Sequence, residues 1–466
     1  MYTFALIIDK LRLGEVIVTL NQKKRRLSLP QLLTFGFLGI ILIGSVLLSL
    51  PIATDTVTGT DYVDALFTAT SATCITGLTT ISTAAHWSVF GQIVIMILVE
   101  IGGLGYMTFT VLLFSMIRKR PTLTTRMMVK ESLSLETLAD VKTVTKYVIG
   151  LSIVIQTAGV FLLMVDLVPR FGLLKGAYFS LFHSVMGFCN AGFDLFGDSL
   201  ASFANDPYVI LVISMLIVAG GVGFLVWRDL LLWRRRHRVS LHTKISLTTS
   251  AVLTVSATLI LWFSEHGFRA LGSHVNLWSR MVDTFLLAVS PRTAGLQVLS
   301  YSHISMAGII LTMVLMFIGG TPGSTAGGIK TTTLGILWMQ SWAALRGQED
   351  VEFGHRRFSQ ENIYRASMLV FISAMIVIIA VMLLSISEPI PKGQGLEYIL
   401  FEVLSAFSTT GLSMGLTPHL TLFGKSIIMV LMFIGRVGLF TVMYTILNAN
   451  RRQRHYRYVE EGVMIG

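Results

Sequence analysis

A chain of 466 residues with 53% hydrophobic and 13% charged positions holds about half the charge of an ordinary soluble domain, which has roughly 25%. Its two cysteines exclude a disulfide scaffold and a zinc cluster. The net charge of +11 is concentrated in alternate connections between apolar runs, which points to anionic membrane lipids and away from a nucleic-acid partner.

Residues 1–30 form an N-terminal tail whose apolar stretch, "FALII", stops at Asp9 and Lys10, too short to span, and whose end carries the basic run "KKRR" (23–26). Eight runs of bilayer length follow: 31–53, 87–117, 147–165, 207–227, 245–264, 304–329, 366–387 and 426–450. Glu100 and Arg436 are the charges within them. The first run is too long for a signal peptide and lacks a small-residue cleavage site. Basic clusters at 23–26, 118–120, 234–238, 346–365 and 451–457 place these connections and both termini in the cytoplasm of a multi-pass plasma-membrane protein.

The outer connections are not simple polar loops. Each holds a short apolar segment ending in glycine: "FTATSATCITGL" (67–78), "FHSVMGFCNAGF" (182–193), "FLLAVSPRTAGL" (285–296) and "FEVLSAFSTTGL" (401–412). A phenylalanine stands ten residues before each of Gly77, Gly192, Gly295 and Gly411. Ten to twelve residues cannot span as a helix, so each segment is expected to dip in from outside and return. The chain then divides into repeat 1 (31–117), repeat 2 (118–233), repeat 3 (234–345), repeat 4 (346–450) and a C-terminal tail (451–466). The fold expected is an all-α polytopic membrane protein. Four M-P-M repeats, with eight membrane helices and four re-entrant pore helices, surround one pore in pseudo-fourfold arrangement.

Non-helical backbone at membrane depth must be wrapped by protein or line a watery cavity. Four glycine strands on a common axis do both, and their carbonyl oxygens can replace the water shell of a cation. The expected filter residues are Cys74, Ile75, Thr76 and Gly77; Cys189, Asn190, Ala191 and Gly192; Thr293, Ala294 and Gly295; and Ser408, Thr409, Thr410 and Gly411.

A second pattern lies in the last helix of each repeat. "EIGGLGY" (100–106), "AGGVGF" (219–224), "FIGGTPG" (317–323) and "FIGRVGL" (433–439) make Gly103, Gly221, Gly320 and Arg436 equivalent. In the third repeat the pattern runs into "GGTPGSTAGGIKTTT" (319–333), whose glycines and Pro322 interrupt the helix. An intramembrane loop at 319–330 beneath the filter is therefore expected. Gly319, Gly320, Thr321, Pro322, Gly323, Ser324, Thr325, Ala326, Gly327, Gly328 and Lys330 form it, with Arg436 as a gate residue and Glu100 as its suggested partner. A passive kink is the plainer alternative.

Together these residues resemble the Trk/Ktr/HKT superfamily of potassium transporters. "FCNAGF" and "SPRTAGL" are similar to its second and third filter segments, and "TPGSTAGGIKTTT" to a loop of its third repeat. The likeness runs from about residue 31 to 450 and is nearest to the membrane subunit of bacterial Ktr systems. It implies potassium uptake across a bacterial plasma membrane, with K+ held at the filter carbonyls and Na+ either coupled or stimulating. It also implies a homodimer docked on a cytosolic RCK/KTN-type regulatory ring, the nucleotide lying on that partner alone and no cofactor bound covalently.

Other readings fare worse. Gly323 and Gly328 mimic a phosphate-binding loop, but Ile329 displaces Lys330 from its place. No H-E-x-x-H or G-x-S-x-G supports a membrane enzyme. Broken helices also build sodium-coupled sites for other solutes, although four parallel copies favour a single axial pore. Arg292, three residues before Gly295, is expected to point away from the axis and support its strand. Cys74 and Cys189 are read as small packing residues, and Asp55, Asp61, Asp64, Asp194, Asp198, Asp206, Asp283, Glu397 and Glu402 as an acidic outer mouth.

Overall fold

The expected alternation of spans and short helices is realised element by element. In the first repeat, helix α1 (Leu29–Leu48) leads to α2 (Tyr62–Thr73), the short α3 (Thr83–His86) and α4 (Val89–Leu104). The second holds α5 (Val141–Phe171), α6 (Leu173–Cys189), α7 (Pro207–Gly221) and α8 (Phe224–Arg236). The third holds α9 (Leu241–Ser264), α10 (Leu277–Val289), α11 (Met306–Phe317) and α12 (Thr331–Leu345). A small antiparallel hairpin, β1 (Glu352–Phe353) with β2 (Arg356–Arg357), precedes the fourth: α13 (Gln360–Ser387), α14 (Leu396–Ser408), α15 (Leu422–Val437) and α16 (Leu439–Leu447). This computed structural model describes residues 29–447 except 56–58, 106–140, 237–238, 266–275 and positions 205, 349, 355 and 392. Most of the 1–30 tail, the 451–466 tail, the basic cluster at 118–120 and the second half of the 87–117 run lie outside the described residues.

The two membrane elements of each repeat differ. Helices α1, α5, α9 and α13 are unbroken and long and apolar enough to cross a bilayer. The second elements are shorter or bent: α4 and α11 are apolar helices of 16 and 12 residues, α7 turns into α8 through 93°, and α15 into α16 through 104°. The sequence reading anticipated a break in the third repeat alone. The bends sit on glycine, Gly223 (φ +92°) and Gly438 (φ +95°), and α4 ends on Gly105 (φ +80°), a left-handed conformation other residues adopt at a penalty.

The entry into each second element is capped by a hydroxyl in three repeats. Ser88, Ser305 and Thr421 accept from the amides of Gly91, Gly308 and Gly424. In repeats three and four a carboxylate at the end of the first helix holds the cap. Glu265 accepts from the Ser305 amide at 3.0 Å, and Glu388 from the Thr421 amide at 3.0 Å.

The pore helices α2, α6, α10 and α14 have 12, 17, 13 and 13 residues, and each starts before the motif phenylalanine. Apolar patterning marks only the inner turns, because the outer turn is not packed in the core. Phe67, Phe182 and Phe401 are fully buried and Phe285 packs against a core cluster, so the motif phenylalanine is a core anchor. The circle of repeats closes between the fourth and the first: Lys425 Nζ is 2.5 Å from Asp64 Oδ1, and Thr34 and Thr445 hydroxyls are 3.1 Å apart.

The first glycine of each "GG" or "GR" pair has a packing duty. A methyl on Gly102, Gly220 or Gly435 would overlap the carbonyl of Thr73, Phe188 or Phe407 respectively. These carbonyls lie four residues before Gly77, Gly192 and Gly411, so three repeats clamp the end of the pore helix against a bare helix backbone. Replacing Gly220 or Gly435 by alanine is expected to lower stability by about 1–3 kcal/mol, read as a lower unfolding temperature of the detergent-solubilised protein. An unchanged transition would remove this packing argument.

Candidate functional site

Each pore helix ends by a turn in which a residue other than glycine takes the left-handed conformation. These are Ile75 (φ +58°), Asn190 (+59°), Thr293 (+87°) and Thr409 (+54°), two positions before Gly77, Gly192, Gly295 and Gly411 respectively. The glycines follow suit: Gly77 (+85°), Gly192 (+71°), Gly295 (+71°) and Gly411 (+90°). A left-handed residue without glycine costs about 1 kcal/mol or more, and four at one register make a built feature. The amide before the glycine bonds five residues back in three strands, Thr76 to Ser71, Ala191 to Met186 and Thr410 to Ser405. The third uses Ala294 to Ser290 instead. The sequence names these four residues as strand positions but carries no signal of their left-handed conformation beyond their fixed spacing.

The four glycines meet. A methyl on Gly77 would lie 2.5 Å from the Ala191 oxygen and 2.7 Å from Gly192 Cα. One on Gly192 would lie 3.3 Å from the Ala294 oxygen, and one on Gly295 2.5 Å from the Thr410 oxygen. A methyl on Gly411 would overlap the Thr76 oxygen and lie 3.1 Å from Gly77 Cα. The circuit Gly77–Gly192–Gly295–Gly411 is thus closed, and beside each glycine stands the carbonyl that precedes the next. Ser71 and Ser405 hydroxyls accept from the Gly77 and Gly411 amides at 3.0 and 3.1 Å. Such a ring of backbone oxygens, with no metal-type cluster of His, Cys, Asp or Glu among the described residues, can hold a dehydrated monovalent cation. The partial negative ends of four pore helices face it.

Arg292 turns from the ring. Its guanidinium donates to the Thr254 hydroxyl at 3.0 Å, the Ser250 hydroxyl at 2.9 Å and the Ser250 carbonyl at 3.4 Å, all on α9. Cys74 and Cys189 are buried and free, and Cys189 packs against Gly103.

Between α11 and α12 the chain leaves and returns as a loop, pinned at its neck by a bridge between Ile318 and Ile329 and by the Thr331 amide on the Gly320 carbonyl at 3.0 Å. Thr321 donates through amide and hydroxyl to the Gly221 carbonyl at 3.2 and 3.1 Å, and the Phe224 amide donates to Gly323 at 2.9 Å. Thr325 reaches the Phe188 carbonyl at 3.2 Å, with the Asn190 amide group 3.3 Å from its hydroxyl. Gly327 and Gly328 press on Ser408 and Thr409. Lys330 folds back on the Ala326 carbonyl at 2.7 Å. Pro322 and Ser324 line the cavity next to the loop.

Arg436 spans the space below the ring. It donates to the Thr325 carbonyl on the loop and to Gly102 and Gly103 carbonyls at the end of α4. The partners the structure gives Arg436 are these backbone oxygens and not the suggested Glu100. A cavity of about 440 Å³ opens here, lined by Gly103, Phe224, Pro322, Lys330, Phe407 and Arg436 among others.

The acidic mouth is mostly committed to structure. Asp64 pairs with Lys425 and Asp206 with Arg170; Asp194 holds the Gly197 and Ser199 amides, Asp198 the Ser202 amide and Glu397 the Gly395 amide. Asp283 and Glu402 are fully buried. Asp55 and Asp61 remain exposed.

The TrkH family model, described as "Cation transport protein", matches residues 40–451. The potassium/sodium uptake protein NtpJ of Enterococcus hirae is 47% identical over 444 residues, covering 95% of this chain and 98% of its own. The Ktr system potassium uptake protein B of Bacillus subtilis is 40% identical over 441 residues, covering 95% and 97%. The crystal structure of the potassium transporter TrkH from Vibrio parahaemolyticus has the same fold, with a TM-score of 0.68 at 17% identity over 93% of this chain and 87% of that one.

Because a Cβ at Gly77 meets the next strand's backbone, Gly77→Ser is expected to weaken discrimination between K+ and Na+ more than it weakens folding. Competition of Na+ against K+ uptake in a correctly inserted variant measures this; unchanged selectivity counts against it.

Proposed function

The chain belongs to the TrkH family of cation transport proteins, and on that premise we propose that it takes up potassium across the bacterial plasma membrane through one pore per chain. It acts as a transporter and not as an enzyme. The observation that carries the reading is the closed ring of Gly77, Gly192, Gly295 and Gly411 with a neighbouring carbonyl beside each. The names of the Enterococcus relative, a potassium/sodium uptake protein, and the Bacillus relative, a potassium uptake protein, support K+ as an ion it carries. Residues 74–77, 189–192, 293–295 and 408–411 form the selectivity filter, and repeats 31–117, 118–233, 234–345 and 346–450 are the units that supply one strand each. The chain works as a homodimer on a cytosolic nucleotide-binding ring of RCK/KTN type, with both termini cytoplasmic.

The loop and Arg436 form the gate. Thr325 links the loop to Arg436, and Arg436 links it to α4, so the resting contacts cross the cavity under the filter. Conduction needs these bonds to part, and the ring acts by pulling the helix that follows the loop. Each charge-assisted bond contributes about 1.5–3 kcal/mol, so losing one worth about 2 kcal/mol favours an open state roughly thirtyfold.

Two outcomes are expected. In a strain lacking its own potassium uptake, the chain with its regulatory partner restores growth at limiting K+, assayed with and without Na+. Failure under all conditions despite membrane insertion would sink the transport reading. Second, deleting 323–328 or changing Arg436→Gln raises K+ flux and loosens nucleotide control. Lower or equal flux in a folded deletion favours a passive kink.

A further inference from the structure

Two buried groups occupy one register on two pore helices and do one job. Glu402 lies nine residues before Gly411 on α14, and His183 nine before Gly192 on α6. Each is fully buried, and each accepts hydrogen bonds from the chain just after its glycine. His183 Nδ1 is 2.8 Å from the Phe179 carbonyl and so carries the proton. Nε2 is left to accept from the Leu195 amide at 3.3 Å. The ring also stacks on Phe196 at 4.0 Å. Glu402 accepts from the Thr417 hydroxyl and from the Ser413 hydroxyl at 3.2 and 2.9 Å.

The two strands face each other across the ring, since Gly192 and Gly411 each neighbour Gly77 and Gly295. The same register in the other repeats holds Thr68 and Leu286. The Thr68 hydroxyl has no hydrogen-bond partner, and leucine offers none. The third strand is fastened instead by the Ser290 hydroxyl on the Leu296 carbonyl.

We propose that Glu402 and His183 are positioning residues that set ion selectivity, by anchoring the outward-leaving strands of repeats four and two to their own pore helices. The inference rests on the reading of the glycine ring as the potassium filter. Neither side chain needs to touch the ion. Each fixes where the strand emerges, and the glycine carbonyl layer moves with it. A ring of carbonyls distinguishes K+ from Na+ by cavity size or by the number and field of its oxygens, and both depend on strand position.

The test uses the full-length protein in detergent, so that it does not depend on a transport assay. The concentrations of K+ and Na+ that half-maximally raise the melting temperature give a selectivity ratio. Amide exchange at 412–417 reports the tether itself. Glu402→Gln keeps the shape but loses an acceptor, and Ser413→Ala removes one tether while leaving the carboxyl in place. Both should speed exchange at 412–417 and lower the K+ over Na+ ratio by about fivefold or more, and the double variant should fall no further. His183→Gln, which keeps an acceptor, should retain more selectivity than His183→Phe, which keeps only the ring.

Ratios within twofold of the parent in Glu402→Gln and Ser413→Ala overturn the proposal. A loss in Glu402→Gln with none in Ser413→Ala also overturns it, because that marks a charge acting directly. If Glu402→Gln does not fold, Ser413→Ala and the His183 pair decide. A parent that selects K+ in this assay but never restores uptake in cells refutes the transport reading and leaves the anchors standing.

Discussion

A backbone carbonyl at membrane depth has to be bonded, wrapped by protein or turned toward an ion or water, and the whole chain is organised around four strands that break the helical solution. Their oxygens converge at Gly77, Gly192, Gly295 and Gly411. Everything nearby follows from shielding that backbone. The pore helices end on it, the motif phenylalanines hold those helices, and Gly102, Gly220 and Gly435 remove side chains so that neighbouring helices can lie against the pore-helix ends. The long helices α1, α5, α9 and α13 then form the outer wall, with apolar faces such as Val154, Phe161, Val252 and Phe371 turned outward.

The same constraint governs the cavity below. Helices that break at Gly223 and Gly438 release carbonyls, and so does the loop at 319–330. Thr321 bonds a carbonyl at the Gly223 break, Lys330 and Arg436 bond carbonyls of the loop, and Arg436 and Thr325 bond others at the ends of α4 and α6. An intramembrane arginine is costly unless bonded, and here the released carbonyls are its partners. Polar groups that would each be a liability alone satisfy one another, and the arrangement can come apart at few bonds. That combination suits a gate better than a carboxylate pair, which would hold the same arginine in any state of the loop.

Much of this was legible in the sequence because the repeat writes it four times. The Phe-to-glycine spacing located all four strands, and "GGLG", "GGVG", "GGTPG" and "GRVG" located the second pattern. Several details were not legible. The "GGxG" pattern drew attention to Gly103, Gly221 and Gly320, whereas in three repeats the glycine before that position packs on a pore-helix carbonyl and the last glycine turns the chain. The pore helices began earlier than the apolar pattern because their outer turns face little core. Most of the acids read as a cation-attracting mouth proved to be caps and tethers. A carboxylate beside an unbonded amide looks the same in sequence as one beside water.

Length, apolarity and glycine are local properties of the chain, so the apolar runs, the four-part repeat and the four glycine strands were readable from sequence, while the helix breaks at Gly223 and Gly438 were not. The tertiary structure alone decided the order in which the four strands close their ring, the partners of Arg436 and Arg292, and which hydroxyls and carboxylates anchor the strands. Those contacts join residues as far apart as Gly102 and Arg436. Their identity depends on how separately folded repeats are packed around one axis, and no local pattern encodes it.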